Sequence, residues 1–138
     1  MRKYPFYIPQ EDVILPWIPV RLGFKKTHKI IPQQILALLD TGADVCFISD
    51  EIAENLGYSE RGKKVRYFRA ANNEEFPTFP ETFTLYVAGH EYECKFYVSK
   101  TMMPGLRIIL GIHGFFDKHQ VNFDVQNNEM RIISNDEN

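Results

Sequence analysis

Ile35-Leu36-Ala37-Leu38-Leu39-Asp40-Thr41-Gly42-Ala43-Asp44 decides the reading of this chain. Five apolar residues in a row show no polar alternation, so the segment is buried on both faces, as a core strand or a buried helix. The run ends abruptly on a carboxylate, followed by a hydroxyl and a glycine. Asp40 therefore lies at the mouth of a core segment. An ionised carboxylate there is costly unless it is hydrogen-bonded or shares a proton. Gly42 permits a backbone turn and the close approach of another chain. Position alone favours a plain role for Asp40, capping a turn at a strand end.

The segments on either side read as short strands. Trp17 to Phe24 is a strand with Arg21 outward and Gly23 near its turn, and Pro19 sets its first half at an edge. Lys25 to Lys29 is a polar connection, and Ile30 to Leu39 is an extended run that Pro32 weakens in its first half. After Asp44, Val45 to Ile48 is a short apolar strand. Ser49 stands where a helix N-cap belongs, with Asp50 and Glu51 at the positive end of the helix dipole. Ile52, Ala53 and Leu56 form the apolar face of that helix, and Gly57 stops it. Ala71-Asn72-Asn73-Glu74 reads as a hairpin tip. Phe76 to Phe83 follows it, with Pro77 and Pro80 opposing central-strand pairing. Thr84 to Val87 and Tyr92 to Val98 are strands joined through Ala88-Gly89-His90-Glu91. Arg107 to Leu110 is extended, and Ile112 to His119 reads as one or two helical turns. Val121 to Val125 pairs with Met130 to Ile133 across Asn127-Asn128. Many short strands, two short helices and no linker or repeat predict a closed or folded all-β architecture.

Composition agrees with one compact domain: 138 residues, 16.2 kDa, 44% hydrophobic, 25% charged and 14% aromatic. A net charge of -2 excludes nucleic-acid binding driven by a strong overall positive charge. Residues 31–60 carry six acids and no Lys or Arg; a solvated helix start accounts for Asp50, Glu51 and Glu54 but not for Asp40. Pro5, Pro9, Glu11 and Asp12 interrupt the N-terminal stretch, so it does not read as a signal peptide. No apolar run approaches the roughly 18 residues that span a bilayer. A cytoplasmic location is the default expectation. Two cysteines, Cys46 and Cys94, do not make a disulfide framework.

Residues 37–44 resemble the active-site loop of the retropepsin-like aspartic proteases. Asp-Thr-Gly alone occurs by chance in roughly 3% of chains this long, so a second element is needed. Ile108-Ile109-Leu110-Gly111 resembles the family's hydrophobic-hydrophobic-Gly segment, which packs behind that loop. Phe115-Phe116, Val121-Asn122-Phe123-Asp124 and the hairpin into Met130-Arg131-Ile132-Ile133 resemble the family's ending, in its cellular, bacterial and archaeal single-domain form more than its retroviral one. The resemblance covers residues 17–134, leaving an arm at 1–16 and a polar tail at 135–138. It implies a closed barrel with one or two short helices, near 50–56 and 112–118, and a β-hairpin flap.

The resemblance also implies the chemistry. Asp40 is the catalytic carboxylate, Thr41 hydrogen-bonds across a dimer axis, Gly42 supplies an N–H near Asp40, and Ala43 lines the cleft. Ile109, Leu110 and Gly111 form the segment behind the site. Such a reaction needs two carboxylates sharing one proton, and this chain has one Asp-Thr-Gly. A homodimer follows, hydrolysing an extended polypeptide with no metal, no cofactor, no nucleic acid and no membrane. Ala71, Asn72, Asn73 and Glu74 are the flap-tip candidates, although retroviral tips are Gly-rich. Substrate side chains are expected in apolar pockets near Ile48, Phe79 and Ile109. The Arg that pairs with the acid at position 44 in retroviral members is replaced by Ile112, leaving Arg107 or Arg21 as alternatives. The rival reading is a dimeric peptide- or protein-binding domain of the same fold without useful catalysis.

Other candidates have plainer explanations. His90 and Cys94 have a spacing found at zinc sites, but no second Cys/His pair lies near them. His113 and His119 flank Phe115-Phe116 on a short exposed helix. Cys46, between Val45 and Phe47, reads as an interior thiol. Arg61 to Arg69 reads as a solvated strand face.

Overall fold

A computed structural model describes residues 1–135. The rest of the tail expected at 135–138 lies outside the described residues. In chain order the elements are β1 (Arg2–Tyr4), β2 (Tyr7–Gln10), β3 (Val13–Leu15), β4 (Trp17–Phe24), β5 (Lys29–Ile30), β6 (Ile35–Leu39), β7 (Cys46–Ser49) and α1 (Asp50–Asn55). They continue with β8 (Arg66–Arg69), β9 (Glu75–Val87), β10 (His90–Ser99), β11 (Ile108–Leu110), β12 (His119–Asp124) and β13 (Glu129–Ser134). No helix among the described residues is long and apolar enough to cross a membrane.

Six strands close a barrel in the order β4-β6-β11-β7-β10-β9, and β9 returns to β4 through Arg21↔Tyr86, Leu22↔Leu85 and Gly23↔Thr84. Closure removes the open edges that a flat sheet would leave. Strand alternation fills the interior: β4 turns Ile18, Val20 and Leu22 inward and leaves Arg21 exposed. Each such side chain stabilises the barrel by about 1.5–3 kcal/mol, and both cysteines are free and buried within it. A second sheet, β1-β13-β12, covers the barrel with buried Met130 and Ile132 and with Phe6 from the arm. The two-stranded hairpin β2-β3 stands apart from both sheets.

The single helix among the described residues begins as the sequence predicts, with the Ser49 side chain accepting the Ile52 N–H at 3.3 Å. Pro77 and Pro80 do not interrupt β9. At residues 75–77 it pairs with β8 alone and at 79–83 with β10 alone. Each proline therefore falls where one side of the strand is open, and only Thr78 between them pairs on both sides. The run from Ile30 to Leu39 is broken at 31–34 instead of continuous, around Pro32. Residues 112–118 form turns, not a helix. Phe116 and Asp117 donate to carbonyls five residues back, those of Gly111 and Ile112, and Gly114 at φ +120° breaks the helical path. The β12–β13 connection spans residues 125–128, not two residues, since Asp124 pairs with Glu129.

One carboxylate is nearly buried on the barrel wall. Glu81 accepts hydrogen bonds from Lys63 Nζ at 2.7 Å, the Thr82 N–H at 2.9 Å and Lys26 Nζ at 3.1 Å. Burial alone would push its carboxyl up, but these donors outweigh burial and hold it below its ordinary value. The hydrogen bond to Glu81 in turn raises the Lys63 ammonium. A lowered carboxyl contributes stability that is complete above the ordinary carboxyl value of 4.5 and is lost as pH falls through the folded value. A raised amine contributes stability that is complete below 10.5 and is lost as pH rises through its folded value. Glu81→Gln is expected to cost about 2 kcal/mol at neutral pH. In urea titrations the gap to the parent protein should shrink as pH drops below 4.5. A gap constant down to pH 3 would show that the ionised contacts contribute nothing.

Candidate active site

Asp40 leaves the end of β6 beside β11, which runs parallel to it with Leu38↔Ile109 and Leu39↔Leu110 in register. Two backbone bonds fix the exit: Leu39 N–H donates to the Pro16 carbonyl at 2.9 Å and Asp40 N–H to that of Leu110 at 3.0 Å. The chain then turns tightly. Ala43 N–H donates to the Asp40 carbonyl at 3.1 Å, and Gly42 N–H donates to Asp40 Oδ1 at 2.8 Å. The Asp40 carboxylate is thus oriented by its own loop while half-buried, with Thr41 and Gly42 exposed beside it.

The loop is held from behind by the segment that the sequence paired with it. Ile112 N–H donates to the Ala43 carbonyl and His113 N–H to that of Asp44, each at 2.9 Å. Gly111 lies against the carbonyls of Ala43 and Val45. A Cβ built on it would overlap the Val45 oxygen and stand 2.6 Å from that of Ala43. Its N–H donates to Cys46 Sγ at 3.4 Å. Cys46 and Cys94 turn toward Gly114, whose carbonyl Cys94 contacts at 3.8 Å. Hydrogen bonding between the two thiols, reinforced by burial, pushes Cys94 far above the usual thiol range. Asp44 is exposed and makes no ion pair among the described residues. Arg21 stacks instead over the Tyr86 ring, 5.4 Å from its centre. The Thr41 hydroxyl likewise has no hydrogen bond among the described residues.

The hairpin β8–β9 carries Ala71, Asn72, Asn73 and Glu74 at its exposed tip. Glu74 donates its N–H to Asn72 Oδ1 at 3.0 Å, Asn73 takes φ +70°, and Arg69 Nη1 donates to the Asn73 carbonyl at 3.0 Å. Asn residues thus build the turn that glycine would otherwise allow. Below the tip, Phe68 and Phe76 face each other across the strands and pack on Phe47, with ring centres 5.2 and 5.8 Å away.

A cavity of about 470 Å³ opens between this tip and residues 99–106, with Phe47 and Ile109 among its walls. Asp40 does not line it, but Ala43 packs on the same apolar cluster and links the cavity to the loop. Of the three apolar residues expected near substrate, only Ile109 faces this space. Ile48 is buried in the barrel core and Phe79 packs on that core. Their places are taken by Phe47 and Phe76. Alternation is the reason: on β7, Phe47 and Ile48 must face opposite ways, and the signal that would have separated them is the strand's parity.

No family model and no curated protein matches the sequence. Solved structures do. A retropepsin-like aspartic protease from Rickettsia conorii superposes with a TM-score of 0.63 at 18% identity, covering 96% of this chain and 99% of that one. The retroviral protease-like domain of Ddi1 from Leishmania major gives 0.59 at 20% identity, over 88% and 90% of the two chains. The EIAV protease, solved with the inhibitor HBY-793, gives 0.54 at 19% identity, over 75% and 88%. At such identities the likeness is one of fold, and it extends over three quarters or more of this chain in each case: the chain has the all-β fold of the retropepsin-like aspartic proteases.

Proposed function

We propose that this chain is one half of an aspartic endopeptidase, in which Asp40 and the Asp40 of a second copy form the catalytic pair. The observation that carries the reading is the half-buried Asp40 carboxylate, oriented by the Gly42 N–H at 2.8 Å at the mouth of a barrel strand. One ionised carboxylate takes a proton from water as its oxygen attacks the scissile carbonyl carbon. The other, protonated, gives its proton to the carbonyl oxygen. Collapse of the resulting diol breaks the C–N bond and returns protons to the leaving nitrogen and the pair. Thr41, exposed and with a hydroxyl that makes no hydrogen bond among the described residues, would bond across the two-fold axis, and Ala43 would lie beside the substrate backbone. The β8–β9 hairpin would act as the flap, holding an extended peptide by backbone hydrogen bonds with side chains entering the cavity under Phe76.

Cleavage of a mixed peptide library should follow a bell-shaped pH profile, falling when both carboxylates are protonated and again when both are ionised. A metal chelator should leave the rate unchanged. A requirement for metal, or a monotonic profile between pH 3 and 8, would overturn the carboxylate pair. The second reading is a dimeric peptide-binding domain without useful catalysis. It draws on a hairpin tip tied down by Asn72 and Arg69 and on Asp44 making no ion pair among the described residues. Peptide binding with no cleavage anywhere in that pH range would select it.

A further inference from the structure

We infer that the cleft between Arg2, Arg21 and the β9–β10 turn is a binding site for a small phosphate monoester with a planar organic part. Residues 1–30 hold six Lys or Arg and two acids. Lys3, Lys25 and Lys26 each reach a carboxylate, those of Glu129, Glu93 and Glu81. Arg2 and Arg21 make no ion pair among the described residues, and both line one cavity of about 410 Å³. Arginine carries its donors in a rigid planar fork that matches the oxygens of a phosphate. Two such forks on one cavity set the charge and the shape of what fits between them.

Both guanidinium groups are placed before any ligand arrives. Arg2 lies on β1, where its pairing with Ile132 fixes the backbone against β13. Its side chain crosses the β9–β10 turn at Gly89. Val87 pairs with His90, so two residues make that turn, and Ala88 at φ +50° and Gly89 at φ +80° give it the twist a two-residue hairpin needs. A Cβ built on Gly89 would stand 2.8 Å from Arg2 Nη2 and 3.3 Å from its Cζ. The bare glycine makes room for the guanidinium. Arg21 comes from β4, pairs in register with Tyr86 and lies 5.4 Å from the centre of that ring. Groups already held in place cost less to order when a ligand binds.

The rest of the wall suits an ester better than a bare anion. Tyr4 and Tyr86 offer two half-buried rings to a planar group, and the Gln34 amide adds a donor. The volume falls within the roughly 300–1,000 Å³ of small-molecule sites and exceeds what free phosphate fills. One carboxylate, Glu91, lines the cavity too. It stands on the far side of Tyr86 from Arg21, because Tyr86 pairs with Arg21 on β4 and with Glu91 on β10. Two strand spacings, about 9–10 Å, separate the two backbones, and one acid against two guanidinium groups leaves the cleft positive. The cleft opens near the start of β6, where Val20 pairs with Ile35. Asp40 follows the other end of that strand, about 16 Å further along. The inference therefore stands or falls apart from the protease reading.

The test is isothermal titration calorimetry of the full chain with phenyl phosphate at neutral pH, beside inorganic phosphate, which lacks the ring, and benzoate, which lacks the second charge. Phenyl phosphate should bind at least about 10-fold tighter than either, a difference of about 1.4 kcal/mol. Arg21→Gln should weaken it about 10- to 100-fold, as for loss of one charge-assisted hydrogen bond. Arg2→Gln/Arg21→Gln should leave no measurable binding. Glu91→Gln should bind tighter, because the one opposing carboxylate is gone. Lys64→Gln, exposed and outside the cavity, should bind like the parent, which separates a built site from a general attraction to positive charge. All four positions are exposed, so each variant should keep the parent's circular dichroism. No binding of phenyl phosphate at millimolar concentration overturns the inference, as does binding that survives in the double variant. Inorganic phosphate or benzoate binding as tightly as the phenyl ester, a Lys64→Gln loss equal to that of Arg21→Gln, or a Glu91→Gln chain that binds no tighter overturns it equally.

Discussion

Asp40→Asn will lower peptide cleavage at least about 1000-fold, the upper range for loss of a positioned acid or base, and leave the fold nearly untouched. Asparagine has the shape of aspartate, and its amide oxygen can still accept the Gly42 N–H that now reaches Asp40 Oδ1 at 2.8 Å. The backbone bonds that hold the loop, from Asp40 to Leu110 and from Ala43 to Asp40, do not involve the side chain. The thermal midpoint should move by no more than about 3 °C, the shift that about 1 kcal/mol makes in a chain of this size. What is lost is the ionisation, since an amide can neither hold nor release the shared proton. A turn-capping Asp40 predicts the reverse, with stability lost first and rate falling only as folded protein disappears. Midpoint and rate measured on the same sample separate the two. A well-folded Asp40→Ala protein with undiminished activity would end the aspartic-protease reading.

Gly111→Ala should be the most destabilising single methyl in the chain. The added carbon meets two main-chain carbonyls, those of Val45 and Ala43, rather than the end of a side chain that could swing away. Neither carbonyl is free to retreat, because Ala43 already accepts the Ile112 N–H at 2.9 Å and Val45 is bridged to His113. Relief requires β11 to separate from the Asp40 loop. The expected cost is about 3 kcal/mol or more, a large share of the roughly 5–15 kcal/mol that holds a domain together. Any folded remainder should cut peptide poorly, because the same contact positions Asp40. Gly105→Ala is the control: open space surrounds that glycine, and only its φ of +83° resists a side chain, at about 1–2 kcal/mol. Urea unfolding that ranks the two variants equal would refute the close approach at Gly111.

The all-β class, the strand from Trp17 to Phe24 and the capped helix after Ser49 were legible in the chain alone, because they rest on local chemistry: short apolar runs punctuated by turn residues, and a serine before two acids. The packing of the Gly111 segment behind the Asp40 loop was implied by a family resemblance of the two motifs, since nothing local links residues so far apart in sequence. The tertiary structure decided what local chemistry leaves open. Pro77 and Pro80 sit within one long strand because β8, β10 and β4 flank β9 over different stretches, so each proline meets an open side. Residues 112–118 have helical spacing, yet His113 is drawn into a bridge with Val45 and the segment coils into turns behind the site. Phe47 and Phe76 line the cavity, and Ile48 and Phe79 do not, because closing the barrel chooses which parity of each strand faces inward. Hydrophobicity marks a residue for burial without saying on which side. That choice depends on which strands become neighbours across the closed sheet.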